Sequence, residues 1–113
     1  MKKILVIDDD KMVQLPFKRI LGDKYNVLQA YNLKEAAELF QNNPDVDLIV
    51  MDGCLSDKGL DTLPLIEEIR KTFKGTMIAS SSRVDYRATM VEKGCSYPMQ
   101  KWEILEKIHQ ILE

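Results

Sequence analysis

The chain has 113 residues, which fits one domain and leaves no room for a second of ordinary size. Its formal net charge of -2 gives no electrostatic reason to expect nucleic acid or an anionic membrane as a partner. The apolar runs are too short to span a bilayer, and no signal-peptide core follows the first residues, so we expect a cytoplasmic protein with reduced Cys54 and Cys95.

Apolar runs predict five strands along the chain. They are Lys3–Ile7, Tyr25–Ala30, Leu48–Met51, Met77–Ser80 and, with a weaker pattern, Ser96–Gln100. The runs at 4–7 and 48–51 are continuous rather than alternating, which is typical of strands that are covered on both faces.

Helical patterns fill the intervals between these strands. The predicted helices are Lys11–Leu21, Asn32–Gln41, Thr62–Phe73, a short one between 82 and 94, and a last one with Ile104, Leu105, Ile108, Ile111 and Leu112 on one face. Pro16 is expected to kink the first helix or to delay its start. Gly22 and Gly94 stand where helices should end, and His109 is expected to be a solvated helix residue.

Strands that alternate with helices predict an α/β fold with right-handed crossovers and a mainly parallel sheet. In such sheets, functional residues gather beyond the carboxyl ends of the strands, near the switch in strand order. The polar residues that end the strands are therefore the candidates for a site.

Carboxylates follow two of the predicted strands. Asp8 and Asp9 follow the first strand in "ILVIDDD", and Asp52 follows the third in "DLIVMD". If these strands are neighbours, the three negative charges repel one another, and a hard divalent cation removes the conflict. The hydroxyls of Ser80–Ser82 end the fourth strand and Lys101 follows the fifth. Together these groups suit the handling of a phosphoryl group, with a carboxylate as the nucleophile.

These pieces occur together with the small hydroxyls after "TMIA" and the glycine of "EKGC". In this order, the chain resembles the CheY-like receiver domain of bacterial two-component response regulators over nearly its full length. The resemblance implies a single receiver domain over residues 1–113 with no separate output domain. It also implies a five-stranded parallel sheet in the order 2-1-3-4-5 with helices on both faces.

The resemblance assigns a role to each matching position. Asp52 is implied to be the phosphoacceptor. Asp9 is implied to bind Mg²⁺ (or Mn²⁺) directly, with Asp8 acting largely through coordinated water. The backbone carbonyl of Cys54 is implied to be a further ligand, and Lys101 to contact the phosphoryl group.

The switch hydroxyl has two candidates, and three other positions depart from the family pattern. Ser81 is the first choice for the switch hydroxyl and Ser80 the alternative, because the following loop is short. Ser56 replaces the usual proline after the phosphoacceptor. Trp102 replaces the proline after the lysine, so the usual cis peptide is not expected there, and we expect Trp102 to pack against the last helix. Pro98 occupies the place of the aromatic switch residue, which requires an edge strand.

The function implied is a signalling module and not an enzyme, beyond self-catalysed phosphorylation and dephosphorylation. It would accept a phosphoryl group from a histidine kinase or phosphotransfer protein and then alter contact with a downstream protein that the sequence does not identify. One alternative is a pseudo-receiver that ignores phosphate. Another is a small haloacid dehalogenase-type phosphatase, since Asp8 and Asp10 form an Asp-x-Asp motif, although Met12 stands where that family has a small hydroxyl.

Overall fold

The computed structural model describes all 113 residues and has the predicted alternation of strands and helices. The strands are β1 (Lys3–Ile7), β2 (Asn26–Ala30), β3 (Leu48–Asp52), β4 (Thr76–Ser80) and β5 (Tyr97–Met99). The helices are α1 (Lys11–Leu21), α2 (Leu33–Asn42), α3 (Leu63–Arg70), α4 (Val84–Lys93) and α5 (Lys101–Leu112). No helix is long and apolar enough to cross a membrane.

The five strands form one parallel sheet in the order β2-β1-β3-β4-β5, which confirms the predicted order. Ile7 at the end of β1 is paired with Ala30 of β2 on one side and with Met51 of β3 on the other. Asp8 follows Ile7 and Asp52 follows Met51, so the two aspartates lie side by side at the carboxyl edge of the sheet. The strand order reverses between β1 and β3, so this edge is the switch point at which functional groups are expected.

Helices cover both faces of the sheet, as predicted, and each face has its own core. The helix residues buried in one core are Ala36, Ile66, Ile69 and Met90, and those in the other are Phe17, Leu21, Ile104 and Ile108. Leu5 and Ile7 of β1 point to the first core, while Ile4 and Val6 point to the second. A strand with two buried faces needs apolar residues at every position, which explains the continuous run in this part of the sequence.

Helix α1 begins at Lys11 and passes through Pro16 without interruption. The carboxylate of Asp10 caps it by accepting a 2.9 Å hydrogen bond from the backbone N–H of Met12. Pro16 was predicted either to kink this helix or to delay its start, and the delayed start is wrong. Pro16 cannot donate to the carbonyl of Met12, but Met12 is 75% exposed and lies where water can reach the backbone.

The other helix ends show which local signals were correct. The side chain of Asn32 caps α2 by accepting from the N–H of Glu35 at 2.8 Å. Gly94 ends α4 with φ 140°, and a Cβ there would lie 2.6 Å from Cγ of Arg70, so only glycine fits this position. Helix α4 has ten residues, as many as α2, so the expected short helix is wrong. The compression falls on the connection from β4, which is only residues 81–83.

Strand β5 lies at the edge of the sheet and is three residues long, shorter than predicted at both ends. Pro98 is its central residue, is exposed, and is paired with Ala79 of β4. The expectation that Pro98 requires an edge strand is confirmed. An edge strand has only one neighbouring strand, so the N–H that proline lacks is not needed for a hydrogen bond on its open side. The structure has no cis peptide bond.

Candidate functional site

Three carboxylates meet where β1 and β3 end. Single oxygen atoms of Asp8, Asp9 and Asp52 all lie within 4.8 Å of one another. Asp8 and Asp52 are buried, at 2% and 6% exposure, whereas Asp9 is exposed. The strand register creates this cluster, because neighbouring parallel strands deliver their last side chains to the same edge.

Lys101 brings a positive charge to this cluster from the first position of α5. Its Nζ donates a 2.6 Å hydrogen bond to Oδ2 of Asp8 and lies 3.5 Å from Oδ1 of Asp52. The preceding Gln100 and the following Glu103 form a capping box that fixes where the helix begins. The start of α5 therefore sets the position of the ammonium group.

Burial and like charge act strongly on the phosphoacceptor candidate. Burial, followed by the negative charge of Asp8, raises the pKa of Asp52 to about 7. Lys101 acts in the opposite direction, as do the backbone N–H groups of Cys54 and Gly53. Burial lowers the pKa of Lys101, but the hydrogen bond to Asp8 and the charge of Asp52 outweigh it, so the pKa is raised overall. One ammonium group does not balance the buried negative charge.

The donor set fits a hard divalent cation. All three side chains offer carboxylate oxygens, which Mg²⁺ and Mn²⁺ prefer, and their spacing allows one ion to contact them. The raised pKa of Asp52 is a second indication of a cation site, because a cation at the cluster would favour the charged carboxylate. Asp10 does not belong to this cluster, since its side chain caps α1.

Asp8 is held from both sides of its carboxylate. Its Oδ1 accepts a 2.9 Å hydrogen bond from the backbone N–H of Asp10, and its Oδ2 accepts from Lys101. Its backbone carbonyl accepts a 3.1 Å hydrogen bond from the side chain of Gln14. Gln14 was not predicted to belong to the site, although a polar residue with apolar residues three and seven positions later on one helix face is a signal for an inward-pointing amide.

The loop after β3 is closed by two further residues, Asp61 and Thr62, which were not predicted from the sequence. The carboxylate of Asp61 accepts from the backbone N–H of Leu55 (2.8 Å) and from the hydroxyl of Ser56 (2.6 Å). The buried hydroxyl of Thr62 donates to the carbonyl of Gly53 at 3.1 Å. Ser56, at the usual proline position, thus contributes a hydrogen bond where proline would contribute a fixed φ.

Two serines lie at the end of β4, and both are buried. Ser80 is paired with Asp52 in the sheet register. Ser81 is the next residue. Its Cβ lies 3.6 Å from the position that a Cβ on Gly53 would occupy, and its Oγ accepts a hydrogen bond from the backbone N–H of Arg83. Both serines therefore border the carboxyl end of β3, and the choice of Ser81 over Ser80 stays a prediction.

Trp102 does not pack against the last helix, so that expectation is wrong. It is 77% exposed, and its indole N–H donates to Oε1 of Gln100 at 2.8 Å. Because Lys101 must point into the sheet edge, the next residue on the helix points about 100° away, toward solvent. Trp102 is thus the chain neighbour of Lys101, but its side chain does not join the carboxylate cluster.

The remaining reactive side chains lie outside the site or are unreactive. Cys54 and Cys95 are free thiols. Burial, followed by the charge of Asp52, raises the pKa of Cys54, and burial raises that of Cys95 to about 12, so neither is an activated thiolate. His109 lies half-exposed on α5, with Nδ1 2.6 Å from Oε2 of Glu113 and no ligand cluster around it.

Comparison with known proteins identifies the class that this fold and site define. Residues 4–113 match the family described as the response regulator receiver domain, and the chain belongs to that family. It is therefore a receiver domain of two-component signalling. Members of this family are phosphoacceptors rather than classical enzymes, bind divalent metal through acidic residues, and interact with histidine kinases or phosphotransfer proteins.

Individual relatives agree with this assignment. The chain is 29% identical to the transcriptional regulatory protein CpxR of Escherichia coli (strain K12), with 99% of this chain and 50% of that protein covered. It is 30% identical, with the same coverage, to CpxR of Klebsiella pneumoniae. The chain thus spans about half the length of the curated relatives that it matches.

Solved structures share the fold. A two-component response regulator from Clostridium difficile has a TM-score of 0.85 at 29% identity, with 99% of this chain and 96% of that chain covered. A response regulator from Burkholderia pseudomallei has a TM-score of 0.84 at 24% identity, with 100% of this chain and 67% of that chain covered. The latter structure contains a phosphorylated aspartic acid, a calcium ion and citrate.

Proposed function

We propose that Asp52 is the residue that accepts the phosphoryl group, in a reaction that depends on Mg²⁺. The observation that carries the proposal is the position of this carboxylate. It is buried at the switch point of the sheet, with Asp8 and Asp9 beside it and the ammonium of Lys101 3.5 Å away. Asp8 shares the burial, the cluster and the cation, but both of its carboxylate oxygens already accept hydrogen bonds, from the backbone N–H of Asp10 and from Nζ of Lys101.

In this proposal the ligands of the metal are the carboxylates of Asp8, Asp9 and Asp52 and the backbone carbonyl of Cys54. Asp9 binds directly and Asp8 largely through water. When bound, Mg²⁺ or Mn²⁺ neutralises the cluster and the phosphoryl oxygens. The metal requirement follows from the charge at this site, where three carboxylates face one nearby ammonium.

Residues of this chain carry out the phosphoryl transfer. An oxygen of Asp52 attacks phosphorus, the bond from phosphorus to the donor's nitrogen or oxygen breaks, and its electron pair leaves with the donor. The product is an acyl phosphate on Asp52. Lys101 contacts one phosphoryl oxygen, and the hydroxyl of Ser81, or Ser80 as the alternative, contacts another.

The cellular setting follows from family membership and also belongs to the proposal. Residues 1–113 act as one receiver domain that takes the phosphoryl group from a histidine kinase or phosphotransfer protein in the cytoplasm and then alters a protein contact. Nucleic acid is not a proposed partner of these residues, given their net charge of -2. The matched relatives are transcriptional regulatory proteins, and the chain spans about half of their length.

The test is intact mass after incubation with acetyl phosphate and Mg²⁺. The wild-type protein should gain one acid-stable, base-labile phosphoryl group, and chelation of Mg²⁺ should prevent the gain. Asp52→Asn should gain none, whereas Asp57→Asn, which neutralises an exposed carboxylate of the adjacent loop, should still be labelled. Labelling of Asp52→Asn as strong as that of the wild type would refute the assignment.

The same samples separate the alternatives. A wild-type protein that is never labelled but still binds its partners would support the pseudo-receiver. Steady hydrolysis of a phosphate ester that survives Asp52→Ala but not Asp8→Ala would support the phosphatase. The second outcome is disfavoured by the side chain of Asp10, which caps α1 instead of joining Asp8 at the site.

A further inference from the structure

Gln14 is a buried polar residue in an otherwise apolar part of α1. It is 1% exposed, and the other two buried residues of this helix are Phe17 and Leu21. A buried amide without partners would destabilise the fold, so its hydrogen bonds must account for its presence.

The amide of Gln14 joins the carboxyl ends of two strands. Its Nε2 donates to the carbonyls of Val6 at 3.0 Å, Asp8 at 3.1 Å and Ala30 at 3.0 Å. An NH₂ group has two hydrogens, so one of them is shared between acceptors. The carbonyl of Ala30 also accepts from the backbone N–H of Asp8 at 3.0 Å. The end of β1 is thereby fixed to the end of β2 beneath the carboxylate cluster.

The orientation of this amide is determined by its neighbours. Nε2 of Gln29 donates to Oε1 of Gln14 at 3.0 Å and to the backbone carbonyl of Gln14 at 2.8 Å. Three carbonyls on the other side can only accept, so only one assignment of the amide's O and N satisfies every partner. The two glutamines therefore act as one unit.

The carbonyl that Gln14 holds belongs to the peptide unit that leads into Asp9. The carbonyl of Asp8 and the N–H of Asp9 lie in one plane, so fixing the oxygen fixes the plane from which Asp9 starts. The carboxylate of Asp9 is exposed and makes no hydrogen bond of its own. Its direction toward Asp8 and Asp52 therefore depends on the backbone.

We infer that Gln14 is a positioning residue for the metal site, which acts by holding the Asp8–Asp9 peptide so that the carboxylate of Asp9 faces the other two. This inference rests on the metal site proposed above and goes beyond it, since Gln14 touches neither metal nor phosphoryl group. It predicts that Mg²⁺ affinity depends on a side chain on the inner face of α1.

The experiment is a calorimetric Mg²⁺ titration of wild type, Gln14→Met and a control in the same core. Gln14→Met keeps the length of the side chain but removes its donors, so its dissociation constant should rise about tenfold, as expected for lost outer-shell support. Ile108→Val, in α5, should lower stability while its Mg²⁺ affinity stays within about twofold of wild type. Gln14→Asn, whose shorter amide cannot reach all three carbonyls, carries the test if Gln14→Met does not fold.

An NMR measurement separates positioning from general stability. In metal-free protein, Gln14→Met should displace the amide resonance of Asp9, and Ile108→Val should not. In the wild-type protein, Mg²⁺ should shift the side-chain NH₂ resonances of Gln14 and leave those of the exposed Gln41 unchanged. Wild-type Mg²⁺ affinity in both folded Gln14 variants would overturn the inference. Failure of the metal site itself would be seen separately, as absence of Mg²⁺ binding by the wild type.

Discussion

Nζ of Lys101 lies 2.6 Å from Oδ2 of Asp8, and this ion pair joins the start of α5 to the end of β1. The side chain of Asp8 is 3% exposed and that of Lys101 is 31% exposed, so the pair is only partly screened by water. In the metal-free protein the lysine therefore neutralises one of the carboxylates that a metal would bind.

Removal of the lysine should destabilise the metal-free protein. We expect Lys101→Met to lower the free energy of unfolding by about 1–3 kcal/mol at pH 8, because Asp8 keeps a buried charge without its partner. Solvent screening of the partly exposed Lys101 limits the size of this loss. The measurement is urea unfolding with a chelator present. Lys71→Met removes an ion pair whose side chains are 70% and 71% exposed, and should change stability by less than about 0.5 kcal/mol. Equal effects of the two substitutions would show that the pair with Asp8 is not specially stabilising.

The stability of the metal-free protein should fall as pH rises toward 7. The pKa of Asp52 is raised to about 7 from its ordinary value of 3.8, so between these values the folded state binds more protons than the unfolded state. Stability from this group is thus present at low pH and is lost as pH rises through the folded pKa. From pH 5 to pH 8 the loss is about 2–3 kcal/mol, and Asp52→Asn should not show it.

The control for this pH dependence is the same series with saturating Mg²⁺. A bound cation favours the charged form of Asp52, so the fall in stability toward neutral pH should shrink or reverse. If wild type and Asp52→Asn lose the same stability between pH 5 and pH 8 without metal, the buried carboxylate is not the group that titrates.

Adjacent aspartates should differ sharply in their importance for metal binding. Asp9→Asn removes a carboxylate of the cluster, and we expect Mg²⁺ affinity to fall by tenfold or more, roughly the effect of losing a charged oxygen ligand. Asp10→Asn removes the same charge one residue later but retains a cap for α1, because asparagine also accepts from the N–H of Met12. Its Mg²⁺ affinity should stay close to that of wild type. A similar loss in both variants would mean that net charge, and not ligation, governs binding.

Trp102 should report the state of the site through its neighbour. The indole is 77% exposed and bonded to Gln100, so its emission in metal-free protein should be that of a solvated side chain and should be quenched readily by acrylamide. When beryllofluoride and Mg²⁺ mimic the phosphoryl group, Lys101 is expected to leave Asp8 for the new anion, which shifts the start of α5 and changes the emission.

Lys101→Ala should abolish that change while Mg²⁺ still binds. Met12→Ala, on the exposed side of α1, serves as the control and should leave the change intact. Flat emission from wild-type protein that mass spectrometry finds labelled at Asp52 would show that phosphorylation does not reach the start of α5.

The sequence by itself determined the α/β alternation and the list of residues at the strand ends. The family resemblance contributed the order 2-1-3-4-5, which the sheet has. Continuous apolar runs and cap residues are local signals, and they located β1, β3 and the starts of α1 and α2 within a residue or two. The carboxylates of Asp8, Asp9 and Asp52 could be grouped because each follows a strand directly.

Tertiary structure alone decided how these residues contact one another. Lys101 pairs with Asp8 more closely than with Asp52, which depends on the exact start of α5 relative to β1, 93 residues earlier in the chain. Trp102 was expected to pack against the last helix, but a helix that points Lys101 at the site must point its next residue elsewhere, and Trp102 is exposed. The role of Gln14 was also hidden, because its three acceptors are backbone carbonyls of β1 and β2, and no side-chain pattern in a sequence records where a carbonyl will lie.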